Sequence, residues 1–394
     1  MIAYTFYSSD PRVRREAEAL AARGDTVDFI CLKEGGDSVR RDYDGVHLYP
    51  ISAGRYQGKS TVSYLAKYAS FFIRSFFLVS FLFLKKRYDI IQVHTMPDFL
   101  VFAALVPKCL GAKVILDVHD LMPELYMCKF NVGPRHFIIR LITWVERRSI
   151  GFANRAIAVH VPHRDVLVAH GNPAQKFTIL LNVPDPRIFQ TNGALRKDDR
   201  FRLIYHGTVA QRHGLEVALR AVRSLKGRIP ELELIIIGGG DDLARIKGLA
   251  DQMELRDCVR FLGTMPVEEL PQHLRQVDVG IVPILCDPFT RYMLPLKLLE
   301  YVGMGIPAIV SRTETIQAYF DDQMVYYCRP GDDRELAEGI LELYADRAKR
   351  MQIVSNASRF NSLYNWENQK RVYFELVDSL LESNHNQRRR NYEQ

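Results

Sequence analysis

Residues 294–307 read LPLKLLEYVGMGIP. Lys297 and Glu300 stand three apart in an otherwise apolar run, a setting in which charge is costly unless something pairs with it. Pro295 suits the first turn of a helix, and residues three apart lie on neighbouring faces of such a turn. A helix start there aims backbone N–H groups, and the Lys297 ammonium, at an anion. Glu300, one turn on, is placed to accept two hydrogen bonds from a vicinal diol. A ribose next to a diphosphate presents those two groups at about that separation. An internal Lys–Glu pair is the alternative that these residues leave open.

Other residues carry weaker signals. In HGTVAQRHGLEVALRAV (206–222) a strand ends at Gly207 and Thr208, and a helix starts near Gly214. Arg212 and His213 sit just before that helix, where an arginine and a helix start suit a phosphate; a solvated loop cation is the plainer reading. IIIGGGDDLARI (235–246) fits neither GxGxxG nor GxxxxGK[ST] and indicates only a sharp turn. Asp117 and Asp120 bracket His119, where hydrogen bonding ranks above a metal. His94 ends a strand and is either structural or acceptor-binding. Asp42–Asp44 is a D-x-D in a polar loop, with little claim to a metal. Trp144 and Trp366 read as packing. The six cysteines, at 31, 109, 128, 258, 286 and 328, form no CxxC pair, so a zinc site is not expected.

The elements that must position these residues alternate as strand and helix from end to end. Strands are predicted at 2–8, 26–32, 88–95, 112–119, 155–161 and 177–183, and again at 202–208, 232–240, 258–264, 278–284 and 307–311. Helices lie between them, beginning with 12–24, which Gly24 stops. This is the pattern of doubly wound parallel sheets. Pro, Asp, Asn and Gly cluster in 182–200, where a boundary is placed. The expected domains are 1–183, 184–365 and a tail segment 366–394. Ligands of such sheets bind at the carboxyl ends of strands, and a cleft between the two domains is the expected site.

The 394 residues are 47% hydrophobic and 25% charged, an ordinary globular balance. The net charge of +7 is uneven: residues 1–183 carry 24 Lys and Arg against 16 Asp and Glu. That excess suits an anionic partner, a membrane surface or phosphorylated substrate before nucleic acid, because no basic–aromatic RNA-binding pattern occurs. Residues 68–87 hold an apolar decade followed by Lys85, Lys86 and Arg87. The segment reads as a helix packed on the first sheet, with a second reading in which one face meets a membrane interface. The first residues lack a signal-peptide pattern, and a reducing cytosol is expected.

Several motifs, in order and over nearly the whole chain, resemble the retaining glycosyltransferases of family 4. They are 10–32, ILDVHDLMPEL (115–125), YHGTVAQRHGLEVALRAV, FLGTMPVEELPQHLRQVDVGIVPI, LPLKLLEYVGMGIPAIVS and YNWENQKRVYFELVDSLL (364–381). The resemblance implies the GT-B fold: two Rossmann-like doubly wound α/β domains facing a central cleft, with a C-terminal helix crossing back to the first. It implies that Glu300 holds the ribose hydroxyls and that Lys297 and Arg212 neutralise the diphosphate. Gly207 and Thr208 lie with the donor, and amides around Phe289, Thr290, Arg291 and Tyr292 approach its sugar or phosphates. Gly263, Thr264 and Met265 meet the base, and His119 stands near the reacting sugar. Ser8, Ser9 and Asp10 form a first loop facing the same cleft as His94, on the acceptor side. The family's E-x7-E pair has Tyr292 at its first position, the first loop lacks the usual Gly-Gly, and of the family's basic pair only Arg212 is a clear cation.

The implied activity is transfer of a sugar from a nucleotide diphosphate sugar, a UDP-sugar by expectation, to a hydroxyl of a lipid-linked glycan in polysaccharide or glycoconjugate assembly (a hexosyltransferase, EC 2.4). No metal or other cofactor is expected. The implied place is cytoplasmic and peripheral on the inner membrane face. Two rivals stay open: a nucleotide-sugar 2-epimerase of the same architecture, and a non-catalytic membrane-associated binding module.

Overall fold

The computed structural model describes residues 1–34, 42–52, 61–190 and 200–392, with side chains outside 61–65 and 383–392. The predicted linker residues 191–199 and the basic side chains of 388–390 therefore lie outside the described residues. The chain divides into two compact units, Met1–Asn182 with Glu367–Gln394, and Val183–Trp366.

The first unit contains β1 (Val27–Leu32), β2 (Asp42–Tyr43), β3 (Val46–Ile51), β4 (Ile90–His94), β5 (Lys113–Val118), β6 (Arg155–Ala158) and β7 (Phe177–Ile179). The predicted first strand is shorter than 2–8. Ile2 alone bridges Ile30 of β1 and Val93 of β4 in parallel, its N–H donating to Gln92 and its carbonyl accepting from His94, each at 2.9 Å. Tyr7–Ser9 then turns as a 3-10 helix. With Ile2 between β1 and β4, the order places the first pass of the chain at the centre, β3 and β1 to one side and β4 to β7 to the other.

The helices of this unit are α1 (Pro11–Arg23), α2 (Thr61–Lys86), α3 (Leu105–Cys109), α4 (Met122–Phe130), α5 (Phe137–Phe152) and α6 (Val161–Ala169). The sequence sets the ends of α1. The Asp10 carboxylate accepts from the Val13 N–H, Pro11 occupies the first turn, and Gly24 closes the helix at φ 102. Between β4 and β5 the predicted helix is a 3-10 turn, Asp98–Ala104, running into α3.

The second unit contains β8 (Phe201–His206), β9 (Leu232–Ile237), β10 (Val259–Gly263), β11 (Val279–Val282), β12 (Ala308–Ser311) and β13 (Tyr326–Cys328), ordered β10-β9-β8-β11-β12-β13. This is the 3-2-1-4-5-6 winding, whose order reverses between β8 and β11; a ligand crevice forms outside the strands' carboxyl ends at such a reversal. Its helices are α7 (Leu215–Leu225), α8 (Leu243–Gln252), α9 (Leu270–Leu274), α10 (Leu296–Gly303), α11 (Glu314–Gln317), α12 (Asp333–Ala345) and α13 (Arg347–Leu363). The core is built from Leu203, Leu234, Val279 and Ile309 of the sheet against Ala218, Leu219 and Val222 of α7 and Leu336 and Ile340 of α12.

The last helix, α14 (Trp366–Tyr392), packs its Tyr373, Leu376, Val377 and Leu380 on Ile115, Ile157 and Leu180. The Tyr373 hydroxyl donates to Gln92 at 2.6 Å, and Gln369 accepts from the Leu181 N–H at 2.7 Å. The C-terminal helix thus belongs to the first unit, as the crossing-back helix requires.

Candidate donor and acceptor sites

At the winding reversal of the second unit, the loops after β8 and β11 pack backbone to backbone. A Cβ on Gly214 (φ +69) would lie 1.8 Å from the Pro283 carbonyl oxygen, and one on Gly238 (φ +139) would lie 1.9 Å from that of Gly207. Only glycine suits either position. The Leu285 N–H donates to the Arg212 carbonyl at 2.9 Å, and the Gly238 N–H to that of Gly263 at 2.7 Å. Gly239 lies against the Thr264 methyl. Gly207, Thr208, Arg212, Gly263 and Thr264 therefore stand in one continuous set of loops, with Met265 next in the chain.

α10 opens at this set. Pro295 is its N-cap rather than its first helical residue, and Lys297 and Glu300 are both buried. The Lys297 ammonium lies 4.4 Å from the centre of the Tyr205 ring and 3.4 Å from its hydroxyl. It also lies over the Gly207 turn, where a Cβ would come within 3.5 Å of Nζ. Burial lowers the Lys297 pKa to about 8, against the opposing pull of Glu300. The Nε2 of His206 stands 3.2 Å from a Glu300 oxygen without hydrogen-bond geometry. Burial, helped by Lys297, holds His206 neutral with a pKa of about 3. His213 is likewise neutral, at about 4, through burial and then Lys297, and its Nδ1 is 2.7 Å from the Thr208 carbonyl oxygen. The electropositive character of this site thus rests on Lys297 and Arg212. The Arg212 Nε is buried with no hydrogen-bond partner, and its guanidinium lies 5.7 Å from the Phe289 ring. A buried, unanswered donor in the same set of loops as a buried lysine is what an anion would satisfy.

The amides of Phe289–Tyr292 correct one expectation. Asp287 Oδ1 accepts from the N–H of Phe289 at 2.8 Å and of Thr290 at 2.6 Å. The Arg291 and Tyr292 N–H groups donate to the carbonyls of Asp287 and Phe289. All four amides fix the loop itself, so they are not held out for a phosphate. The buried Thr290 hydroxyl donates to the Leu285 carbonyl and completes the turn. Arg291 pairs with Glu314 at 2.7 Å and stacks on Tyr292 at 5.0 Å.

In the first unit a cavity of about 330 Å³ lies at the corresponding winding reversal, lined by Asp10, His94, Thr95, His119 and Asp120 among others. Ser8 and Ser9 are exposed and do not line it; Ser8 bonds Glu34, and Ser9 donates to the Phe6 carbonyl at 3.1 Å. Beneath the cavity Asp117, fully buried, is 3.0 Å from His119 Nε2 and 3.1 Å from His94 Nδ1. Arg12 clamps both Asp117 oxygens at 2.9 and 2.8 Å. Burial opposes the charged form of His119, but Asp117 outweighs it and raises the pKa. His94, Asp117 and His119 are close enough to share a cation. Because Arg12 already answers the carboxylate, we read them as a hydrogen-bonded set. Asp42–Asp44 serves a hairpin: β2 pairs antiparallel with β3, and Asp44 and Gly45 turn at positive φ.

The family model described as "Glycosyl transferase 4-like domain" matches residues 9–182, and that described as "Glycosyl transferases group 1" matches 187–360. The chain belongs to the group 1 glycosyltransferases of family 4. Its fold is GT-B. It is 27% identical over 217 residues, 54% of this chain and 53% of the relative, to the amylovoran biosynthesis glycosyltransferase AmsK of Erwinia amylovora. The chain spans about half the length of the first curated relatives it matches. Two solved structures share the fold. Sucrose-phosphate synthase of Thermosynechococcus elongatus has a TM-score of 0.75 at 20% identity, over 97% of this chain and 99% of that one. Anabaena HepE in complex with UDP-glucose has 0.71 at 15%, over 96% and 99%.

The fold also brings in residues that no local pattern marks. Tyr205 and His206, beside Lys297 and Glu300, look like ordinary core in a strand; their position at the strand's carboxyl end was the available signal. Arg12 and Gln92 join the His119 set through tertiary contact alone. Replacing Arg12 with Ala leaves Asp117 and Glu16 buried together without their cation. The expected result is a loss of about 3–5 kcal/mol in denaturant unfolding; a loss under about 1 kcal/mol would contradict the clamp. Asp117 is held well below the ordinary carboxylate range against its burial, chiefly by Arg12. Its contribution to stability is therefore present above the unfolded carboxylate pKa and is lost as pH falls through the native one.

Proposed function

We propose that this chain is a retaining glycosyltransferase that moves a sugar from a nucleotide diphosphate sugar to a hydroxyl of a lipid-linked glycan, in polysaccharide or glycoconjugate assembly. The observation that carries the reading is Lys297 and Glu300 buried in one helical turn at the winding reversal, over a glycine turn, with the unanswered Arg212 Nε in the same set of loops. In this reading Glu300 accepts from the ribose hydroxyls. Lys297 and Arg212 meet the charge that grows on the diphosphate as it leaves, an electrostatic task fixed groups perform without reorganising. The family resemblance assigns His119 to the reacting sugar, and no divalent metal is required in this reading. The UDP-glucose complex of a protein with this fold supports UDP as the nucleotide, and AmsK supports a polysaccharide product.

A thermal-stability screen of UDP-, GDP- and ADP-sugars tests the reading. A bound donor at one hundred times its Kd adds about 2.7 kcal/mol, so one nucleotide series should raise Tm clearly. No shift with any series would point to a non-catalytic module. Incubating the selected donor without acceptor then separates the epimerase: an altered sugar in acceptor-free buffer would contradict transfer.

A further inference from the structure

The first unit carries an apolar, cationic face that the glycosyl-transfer site does not use. α2 turns Ile73, Phe77, Phe81 and Leu84 outward, successive residues four or three apart, with Phe77 67% exposed. Its opposite side, including Phe71, Val79 and Phe83, is buried. α5 turns out a second ridge, Phe137, Leu141 and Trp144, at 72, 56 and 54% exposure. Trp144 is thus not the packing residue expected from sequence.

The helices that carry the two ridges lie on the same side of the sheet. The 3-10 turn Asp98–Ala104 packs against both α2 and α5, with Phe72 on Phe99 and Phe102 on Phe152. Right-handed crossovers running from β3 through β4 and β5 to β6 put these helices on one side of the sheet.

The charge on this face has one sign. α2 and α5 expose Lys85, Arg140, Arg147 and Arg148, while Lys86 is held by Asp28; the acids of α2, the 3-10 turn, α3 and α5, Asp98 and Glu146, are both buried. Lys85 sits 4.3 Å from the Phe81 ring and Arg148 5.5 Å from the Trp144 ring, so cations rim the apolar ridges. A second copy docked through this face would set arginines against arginines. An anionic lipid surface answers both the ridges and the charge.

We propose that the α2–α5 face docks the first unit on an anionic bilayer, with both ridges in the headgroup region and the cations among the headgroups. α2 is the one helix among the described residues long and apolar enough to cross a membrane, but its packed inner face fits a helix that lies in the interface. Docking needs neither donor nor acceptor, so it stands or fails apart from the transfer reaction.

The test is co-sedimentation of the full chain with phosphatidylcholine vesicles, with and without about one-third phosphatidylglycerol. The wild type should sediment with the anionic vesicles, and added salt should release it. Phe77→Ser with Trp144→Ser should weaken binding at least tenfold. Arg140→Glu with Arg148→Glu, which leaves the apolar ridges whole, should weaken it by about fivefold or more per cation. Wild type remaining in solution, variants sedimenting like wild type, or a wild-type dimer that Phe77→Ser with Trp144→Ser dissolves would each overturn the proposal.

Discussion

Replacing Glu300 with Ala should lower kcat/KM for the selected donor by about 10²–10⁴-fold. The carboxylate is assigned two hydrogen bonds from the ribose diol, and bonds to a charged group contribute about 1.5–3 kcal/mol each. The fold should survive, because Glu300 caps no helix and its neighbour His206 is neutral and forms no hydrogen bond with it. Since Glu300 also supports the charge on Lys297, the variant's lysine should lose its proton at lower pH than in the wild type. Glu300→Gln, which keeps shape and one acceptor, should lie between wild type and Glu300→Ala. Full activity in Glu300→Ala, measured with a native circular dichroism spectrum, would remove Glu300 from the ribose.

The second large effect belongs to Lys297. Replacing it with Met should raise the donor KM by about 100-fold or more, because a buried cation against a diphosphate is the stronger kind of hydrogen bond. Stability should respond in the opposite direction. The native Lys297 pKa of about 8 lies below the ordinary 10.5, so the unfolded chain binds the proton more tightly. That disadvantage of the folded state is fully present below about pH 8 and fades as pH rises toward 10.5. Lys297→Met should therefore melt at or above the wild-type temperature at pH 7. A rise in stability between pH 8 and 10, present in wild type, should be absent from the variant. Donor affinity of the wild type should fall above about pH 8 as the ammonium is lost. A variant that melts well below wild type and still binds donor would show a structural lysine.

The two-sheet organisation was legible because buried parallel strands read as continuous apolar runs and their turns as glycines. Lys297 and Glu300 were legible for the opposite reason: charge in such a run conflicts with its surroundings. Residues whose role depends on neighbours far along the chain were not. Nothing local in Arg12, Gln92 or Tyr373 shows that β4, β5, α1 and α14 converge on Asp117. Trp144 was misread because a tryptophan among Ile, Leu and Val is assigned to the core, although Arg140, Arg147 and Arg148 around it pointed outward. The amides of Phe289–Tyr292 were misassigned for want of one local signal. Asp287 followed three residues later by Thr290 closes a turn on its own backbone.

Calorimetric titration with the nucleoside diphosphate of the selected donor and with its 2′,3′-dideoxy analogue tests the grip on the nucleotide most directly. Wild type should bind the natural compound at least about 100-fold more tightly, and Glu300→Ala should bind the two alike. Equal affinities in wild type would contradict it.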